Sequence, residues 1–438
     1  MNTIAQLLQN VDPVVPARSL YVHIPFCFHK CHYCDFYSLV DTKDRQAAFT
    51  RRLVDELQAV ARFSDHATGR GIETIFVGGG TPTLLQPALW QNLLGVLAKH
   101  YDVAPGVEFT VEANPETVTD ELVEVLHAGG VNRMSVGCQS FDPKHLRTLE
   151  RWHDPDNVPR AIERARAGGI RRISLDLIFG IPGQTLDDWS ADLDRALELE
   201  PEHLSCYALT FEPGTAMTAR RDAGRIAPID EDLEADMFIL TRDRLREAGF
   251  IDYEISNFAR PGAACRHNMA YWRNENWLAA GPSASGHMNG LRWKVLPHLA
   301  RYLATTGPSP VSEHEFVPVA TRLGEQIMLG LRLTAGLDLT SLRSAIHTHL
   351  TPERCNAFER TLQEMVDAAA IAIAEGGGSP AALSIPNASH EVGETAVDNR
   401  TYMRLTESGR IIADSVISRF MDALAPPTRH PLPQISER

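Results

Sequence analysis

Short apolar runs alternate with longer amphipathic segments along the first half of the chain. The runs are short enough to be buried strands; they cover residues 20–24, 74–77, 108–111, 133–136, 173–179 and 204–209. Between them apolar residues recur at helical spacing, as at Phe49, Leu53, Leu57 and Val60. This alternation predicts an α/β fold, because it is typical of parallel strands joined by crossover helices. About six units are fewer than the eight of a closed barrel, so we predict a partial (β/α)6 TIM-like barrel.

The alternation fades near Glu212, and the rest of the chain has a different character. We predict an N-terminal extension (1–18), the partial barrel (19–250), a connecting region (251–310) and a smaller, mainly helical C-terminal domain (311–424). Within that domain, residues 375–399 are rich in Gly, Ser, Pro and Asn, a composition that predicts an exposed loop insertion. The tail at 425–438 carries four prolines, and we expect it to be disordered.

Composition and charge narrow the classes of partner. The formal net charge is −14 over 438 residues, which argues against a nucleic-acid partner, because such binders are usually basic. No segment approaches the roughly 20 apolar residues that span a bilayer, and the N-terminus lacks the basic and apolar regions of a secretory signal. We therefore expect a cytoplasmic protein without a transmembrane segment, one that can still associate transiently with a membrane surface.

Three of the seven cysteines crowd into eight residues, at Cys27, Cys31 and Cys34. An odd count in a chain of this length indicates free thiols or metal ligands rather than a disulfide scaffold. Three thiolates can hold a four-iron cluster and leave one iron open to a small chelating molecule. A zinc site is the alternative, with His23, His29 or His32 as a fourth ligand. Plain buried thiols are the third possibility, and spacing alone leaves all three open.

The segment 21–36, YVHIPFCFHKCHYCDF, resembles the signature of the radical SAM superfamily, in particular its coproporphyrinogen oxidase-like branch. The resemblance extends over roughly 19–339. It implies that the three cysteines hold a [4Fe-4S] cluster and that S-adenosylmethionine chelates the open iron. In that superfamily, reductive cleavage of the sulfonium yields a 5′-deoxyadenosyl radical.

The resemblance also implies a set of S-adenosylmethionine contacts, several of which follow predicted strands. Taken alone, the Gly78–Gly80 turn is weak evidence, since such a turn is usually only a turn, although exposed N–H groups there can bind a carboxylate. The family pattern instead assigns Gly79, Gly80 and Thr81 to the methionyl amino group. It assigns Arg151 to the methionyl carboxylate and Glu112 to the ribose and methionine. The remaining implied contacts are Tyr21, Tyr33, Gln139 and Asp176, with weaker matches at Thr210 and Ser285.

Two features separate the branches of this family. The coproporphyrinogen III dehydrogenases carry a further cysteine two residues past the third, where this chain has Phe36, and this ending resembles the HemW-type haem chaperones. Residues 266–272, RHNMAYW, match the His-Asn-x-x-Tyr-Trp pattern of that branch, which implies haem binding by His267, Asn268, Tyr271 and Trp272. Without the resemblance, these side chains would more simply pack a junction, with His267 hydrogen-bonded locally. We expect the nearby Cys265 to be a bystander.

The resemblance thus implies a haem chaperone that binds a [4Fe-4S] cluster, S-adenosylmethionine and haem, and passes haem to an acceptor protein such as a respiratory enzyme. No catalytic residue is assigned, and the chain is predicted to be a monomer or a dimer. One alternative is a coproporphyrinogen III oxidase acting by radical decarboxylation. A second is a zinc-loop protein that only binds partners.

Overall fold

The computed structural model describes residues 2–9, 11, 16–64, 71–375 and 400–425. It divides into two compact units, with a boundary between Phe316 and Val317. Within the described residues, no helix is long and apolar enough to cross a membrane. Apart from their end residues 375 and 425, the predicted loop insertion (375–399) and tail (425–438) lie outside the described part.

Strands of the first unit account for most of its core. They are β1 (Ser19–Ile24), β2 (Phe26–Cys27), β3 (Leu39–Val40), β4 (Ile72–Gly79), β5 (Val103–Ala113), β6 (Arg133–Gln139), β7 (Arg172–Phe179), β8 (His203–Ala208), β9 (Ile251–Asp252), β10 (Asn257–Ala259), β11 (Trp277–Ala280), β12 (Ser285–Met288), β13 (Leu291–Val295) and β14 (Val311–Phe316).

Helices of the same unit alternate with these strands. They are α1 (Ile4–Leu8), α2 (Gln46–Val60), α3 (Pro87–His100), α4 (Asp120–Ala128), α5 (Pro143–Thr148), α6 (Asn157–Ala167), α7 (Leu186–Glu198), α8 (Ala216–Asp222), α9 (Glu231–Glu247), α10 (Arg266–Trp272) and α11 (Leu299–Leu303). Short 3-10 turns lie at Ala61–Phe63, Pro82–Leu84 and Pro115–Thr117.

One large sheet organises the first unit, in the order β14-β13-β12-β11-β1-β4-β5-β6-β7-β8-β10-β9. The strands β1 and β4 to β8 coincide with the six predicted runs, and each is parallel to its neighbour. The predicted α/β fold with six parallel strand–helix units is therefore confirmed. Because crossover helices join parallel strands, the carboxyl ends of these strands meet at one edge of the sheet.

The predicted connecting region at 251–310 is not a connector. Its strand β11 adds to the sheet parallel to β1, and β12 and β13 continue the sheet in antiparallel fashion. On the other edge β10 pairs antiparallel with β8. These strands could not be predicted from the sequence, because they are only two to five residues long and too short to show a periodic pattern.

Helix α2 shows why the amphipathic pattern works. Its four predicted core positions, Phe49, Leu53, Leu57 and Val60, are all completely buried. Burying each such side chain contributes about 1.5–3 kcal/mol, so this face fixes the helix against the sheet. Thr119 caps the N-terminus of helix α4, because its hydroxyl accepts the Leu122 N–H at 3.2 Å.

The second unit begins at Val317, six residues after the predicted start at 311. It is mainly helical, as predicted. Its helices are α12 (Val319–Gly330), α13 (Leu339–His349), α14 (Pro352–Asp367), α15 (Glu407–Ile411) and α16 (Ala413–Leu424). They accompany an antiparallel sheet in the order β15-β17-β16, made of β15 (Leu337–Asp338), β17 (Thr401–Leu405) and β16 (Ile371–Glu375). Phe358 and Phe420 are completely buried and pack together, with ring centroids 5.7 Å apart.

Candidate functional site

The carboxyl ends of the central strands bring the sequence motifs to one edge of the sheet. Register pairs Ile24 at the end of β1 with Gly79 at the end of β4. Farther along the sheet, Glu112 of β5 pairs with Ser135, and Asp176 of β7 pairs with Gly137. Ligands of open parallel sheets bind at this edge, so the motifs lie where the fold places its chemistry.

The cysteine loop leaves the sheet just after β1 and is fixed by backbone hydrogen bonds. Strand β2, which ends at Cys27, pairs with β3. Farther along, the His32 N–H donates to the Leu149 carbonyl at 3.3 Å, and the His32 carbonyl accepts the Met217 N–H at 2.8 Å. The Cys34 N–H donates to the Cys31 carbonyl at 3.3 Å. The loop is thus held between the β6–α6 region and α8, with its three thiols partly or fully buried.

Polar and charged neighbours of the thiols favour their thiolate form, which is the form that binds an iron–sulfur cluster. Burial raises the pKa of Cys27, and burial raises that of Cys34 to about 11. Against this, the Thr81 hydroxyl donates to Cys27 Sγ at 3.6 Å, and Arg151 Nη1 lies 3.8 Å from Cys31 Sγ. A donor and a cation aimed at sulfur stabilise the thiolate form that a cluster requires.

Thiol spacing argues against a single zinc ion. A tetrahedral Zn²⁺ places its sulfur ligands about 3.8 Å apart. Among the described residues, the one trio of His, Cys, Asp or Glu whose ligand atoms all lie within 4.8 Å is found elsewhere in the chain. His23 is also unsuited as a fourth ligand, since its ring nitrogens contact the Tyr21 hydroxyl at 3.0 Å and the Tyr37 carbonyl at 2.8 Å. The three thiols therefore do not all lie within the spacing that one tetrahedral ion requires.

The glycine turn after β4 has a tightly specified backbone. The N–H groups of Gly79, Gly80 and Thr81 donate to the Glu112 carboxylate at 3.0 Å, the Ile24 carbonyl at 2.8 Å and the Phe26 carbonyl at 2.7 Å. All three N–H groups are therefore committed within the protein, and the carboxylate that the Gly79 N–H binds is that of Glu112 rather than that of a ligand. An incoming ammonium group is a donor and needs acceptors, a role open to backbone carbonyls.

Glu112 and Asp176 form an acidic pair beneath this turn. Burial, together with Asp176, raises the pKa of Glu112 to about 7. Burial also raises the pKa of Asp176, although the Ser135 hydroxyl lies 3.1 and 3.0 Å from its two oxygens. A cationic ligand lowers the cost of ionising both carboxyls, so this pair favours a positively charged group such as a sulfonium or ammonium.

Gln139 and Arg151 lie together at the end of β6. Gln139 has φ of 67°, and the register with β7 shifts between Gly137 and Gln139. Such a bulge re-aims a side chain at a cost of about 1–3 kcal/mol in backbone strain. Arg151 donates to the Gly137 carbonyl at 2.9 Å and to His153 Nδ1 at 3.2 Å. Burial, with the nearby Arg151, lowers the pKa of His153 to about 3, so this ring is a neutral acceptor that positions the guanidinium.

The other predicted cofactor contacts differ in their placement. Tyr33 packs on an apolar cluster that includes Leu149 and Met217, and burial raises its pKa. Tyr21 stacks on Phe76, with ring centroids 6.4 Å apart. Thr210 is exposed just after β8, whereas Ser285 is exposed on the antiparallel strand β12.

The predicted haem motif lies in α10, and the structure does not present His267 as an accessible ligand. His267 is 1% exposed. Its Nδ1 contacts the Thr74 hydroxyl at 2.8 Å and its Nε2 the Tyr271 hydroxyl at 2.9 Å. Its ring stacks on Phe76 of β4, and burial lowers its pKa to about 3. With both ring nitrogens engaged, His267 acts here as a packing and hydrogen-bonding residue.

The neighbours of His267 in the motif are buried or half-buried as well. Asn268 Nδ2 donates to the Tyr253 hydroxyl at 3.2 Å, while Trp272 is half-buried at the end of the helix. Cys265 is buried, and its thiol donates to Glu108 at 3.5 Å. Burial raises the pKa of Cys265 to about 12, which makes it an unreactive thiol, as expected of a bystander.

Three aromatic side chains on or beside the cysteine loop are exposed to solvent, which the sequence motifs did not predict. Phe28 and Phe36 on the loop are 63% and 59% exposed, and Trp152, next to Arg151, is 71% exposed. The Trp152 ring stacks on His29 at 4.0 Å with an 8° interplanar angle. These aromatic residues lie close in sequence to Cys27, Cys34 and Arg151, which could have marked them as part of the site. Their exposure to solvent could not be predicted from the motif.

Comparisons with known proteins show which family and which fold this chain resembles. The Radical SAM superfamily model matches residues 21–196. The heme chaperone HemW of Mycobacterium tuberculosis is 37% identical over 331 residues, covering 74% of this chain and 84% of that protein. The Escherichia coli heme chaperone HemW is 40% identical over 62% of this chain and 70% of its own length. In fold, coproporphyrinogen III oxidase (HemN) from Escherichia coli is similar over 95% of this chain and 93% of its own, with a TM-score of 0.75 and 21% identity.

Proposed function

The chain belongs to the HemW family of radical SAM proteins, and we propose on that premise that it is a haem chaperone, one that binds haem and passes it to an acceptor protein. The observation that carries the proposal is the identity of 35–40% to several heme chaperones HemW, over most of their length. The acceptor we propose is a haem protein such as a respiratory enzyme.

We further propose that Cys27, Cys31 and Cys34 hold the [4Fe-4S] cluster that radical SAM membership implies. When bound, such a cluster supplies the electron that cleaves S-adenosylmethionine. The chain's own residues would hold that cofactor: the Gly79–Gly80 carbonyls and the acidic pair of Glu112 and Asp176 suit its cationic end, and Arg151 suits its carboxylate. Tyr21, Tyr33, Thr81 and Gln139 complete the proposed contacts.

Haem itself requires a broad apolar surface, and the exposed aromatic side chains on and beside the cysteine loop offer one. We propose that Phe28, Phe36 and Trp152 pack against the porphyrin, because exposed aromatic rings of this size are costly in water and stack well on planar ligands. His267, Asn268, Tyr271 and Trp272 would then support the barrel interior. In the oxidase alternative a cysteine takes the place of Phe36.

Haem titration of the anaerobically reconstituted chain, followed as a difference spectrum against the same protein without haem so that the absorption of the cluster cancels, tests these assignments. We expect Trp152→Ala and Phe28→Ala to weaken haem binding, whereas Phe316→Ala, an equally exposed phenylalanine on β14, serves as the matched control. His267→Ala should lower the unfolding temperature and leave haem affinity in the folded protein unchanged. Loss of haem binding in a stably folded His267→Ala variant would move the haem site to α10.

The same preparation distinguishes the oxidase. We expect no decarboxylation of coproporphyrinogen III when S-adenosylmethionine and a reductant are supplied. Conversion to protoporphyrinogen without haem binding would overturn the chaperone proposal and favour radical decarboxylation.

A further inference from the structure

A second cluster of ligand-type side chains lies away from the cysteines, where the β6–α5 connection meets the start of α7. Asp142 caps α5 by accepting the Lys144 N–H at 2.6 Å, and His145 follows in the first turn of that helix. Asp188 belongs to the capping box of α7, accepting the Thr185 N–H at 2.9 Å. One ligand atom from each of Asp142, His145 and Asp188 lies within 4.8 Å of the other two.

The burial of His145 provides an independent observation. Its side chain is completely buried, and neither ring nitrogen has a partner in good hydrogen-bond geometry, although the Asp188 carboxylate lies beside it. Nε2 lies 3.2 Å from Asp188 Oδ2 and 3.7 Å from Asp142 Oδ2, but the ring N–H is not aligned with either oxygen. A buried imidazole without a hydrogen bond is costly. The lone pairs of ligands that share one cation point towards the cation rather than towards one another. Such an arrangement explains why His145 Nε2 lies near two carboxylates without a well-aligned hydrogen bond to either.

The distances match those of a divalent cation. With metal–ligand bonds of about 2.0–2.2 Å, neighbouring N and O ligands lie roughly 3–3.5 Å apart. Of the two separations from His145 Nε2, the 3.2 Å to Asp188 falls within this range and the 3.7 Å to Asp142 falls slightly above it. Asp192 stands behind the cluster, where its carboxylate accepts the Ser140 hydroxyl at 2.7 Å and the Phe141 N–H at 2.6 Å. It therefore adds negative charge while its own oxygens remain committed to the backbone turn.

We propose that Asp142, His145 and Asp188 form a second metal site, which binds a divalent first-row cation through one imidazole nitrogen and two carboxylate oxygens. This ligand set suits Mn²⁺ or Zn²⁺ and lacks the thiolates that select an iron–sulfur cluster. The ion would join the segment that follows Gln139 to the N-terminus of α7. It would thereby brace the bulge at the end of β6.

Titration with Mn²⁺, followed by loss of the six-line EPR signal of the free ion, tests the site in the full chain with its cysteines occupied by cluster. Asp142→Asn and Asp188→Asn keep an oxygen for each helix cap and remove one anionic ligand. The matched control is Asp230→Asn, since Asp230 caps α9 through the Asp232 N–H at 3.0 Å without a histidine beside it. Circular dichroism checks that each variant folds.

We expect one saturable Mn²⁺ site in the wild type and in Asp230→Asn. The Asp142 and Asp188 variants should bind more weakly by at least the roughly 10–100-fold that loss of an outer-shell partner costs. His145→Gln, which removes the imidazole, should show the same loss. Absence of saturable binding in the wild type, or equal affinity in all variants, would overturn the proposal, since His145 would then only form ion pairs with its two neighbours.

Discussion

Substituting Gly79 by alanine tests whether the glycine turn is as tightly specified as the geometry requires. Gly79 has φ of 110°, a conformation that costs a non-glycine residue about 1–3 kcal/mol. A Cβ there would lie 2.4 Å from His23 Cε1. The ring cannot retreat without disturbing its contacts to the Tyr21 hydroxyl and the Tyr37 carbonyl, each worth about 1 kcal/mol.

Together these terms predict that Gly79→Ala lowers the free energy of unfolding by about 3–5 kcal/mol, a large part of the 5–15 kcal/mol typical of a domain. Binding of S-adenosylmethionine should fall as well, because the turn must shift. The assay is urea unfolding of the cluster-free chain, followed by circular dichroism, with equilibrium dialysis of the cofactor on reconstituted protein.

Gly95→Ala is the matched control for this experiment. Gly95 lies within α3, and an added Cβ would meet no atom within 4 Å. Alanine should therefore raise stability there by about 0.5–1 kcal/mol. A Gly79→Ala protein that unfolds at the wild-type urea concentration and binds the cofactor normally would refute the close packing of this turn against His23.

Three further predictions follow from buried groups. Cys34→Ser should lose iron after anaerobic reconstitution, whereas Cys355→Ser, a buried thiol of the second unit, should retain it by iron analysis. In the cluster-free chain, the pKa of Glu112 is raised to about 7, so the folded state holds a proton that the unfolded state releases. The free energy of unfolding should therefore fall by about 2–3 kcal/mol as the pH rises from 4.5 to 7. Glu112→Gln should reduce this pH dependence when unfolding is measured across the same range. Tyr302→Phe removes the hydroxyl that donates to buried Glu56 at 2.6 Å and should cost about 1–3 kcal/mol by thermal unfolding, with a wild-type result contradicting the bond.

The central strands could be predicted from sequence because each is a short apolar run bounded by polar or glycine residues. The run at 74–77 became Ile72–Gly79, with two more residues at each end, and the run at 173–179 became Arg172–Phe179, with one more at its start. The strand Val311–Phe316 could not be predicted, since it is largely exposed at a sheet edge and rich in charged residues. Its pairing with β13, rather than its composition, makes it a strand.

Some features of the site could likewise be predicted from the sequence, and others could not. A motif predicted which residues meet near Cys27, because parallel strands bring their carboxyl ends together whatever the details of packing. It could not predict that His267 is enclosed by Thr74, Tyr271 and Phe76, since burial depends on contacts nearly 200 residues apart. The grouping of Asp142, His145 and Asp188 could not be predicted for the same reason, because Asp188 comes from a different helix.

The most direct test of the central claim is the EPR spectrum of the reduced, anaerobically reconstituted chain before and after S-adenosylmethionine is added. Three cysteine ligands leave one iron open, so the account predicts a [4Fe-4S] signal that changes when the cofactor binds that iron. The Cys34→Ser variant should show neither the signal nor the change. A wild-type signal that the cofactor leaves unaltered, or a chain that takes up zinc in place of iron, would contradict the account.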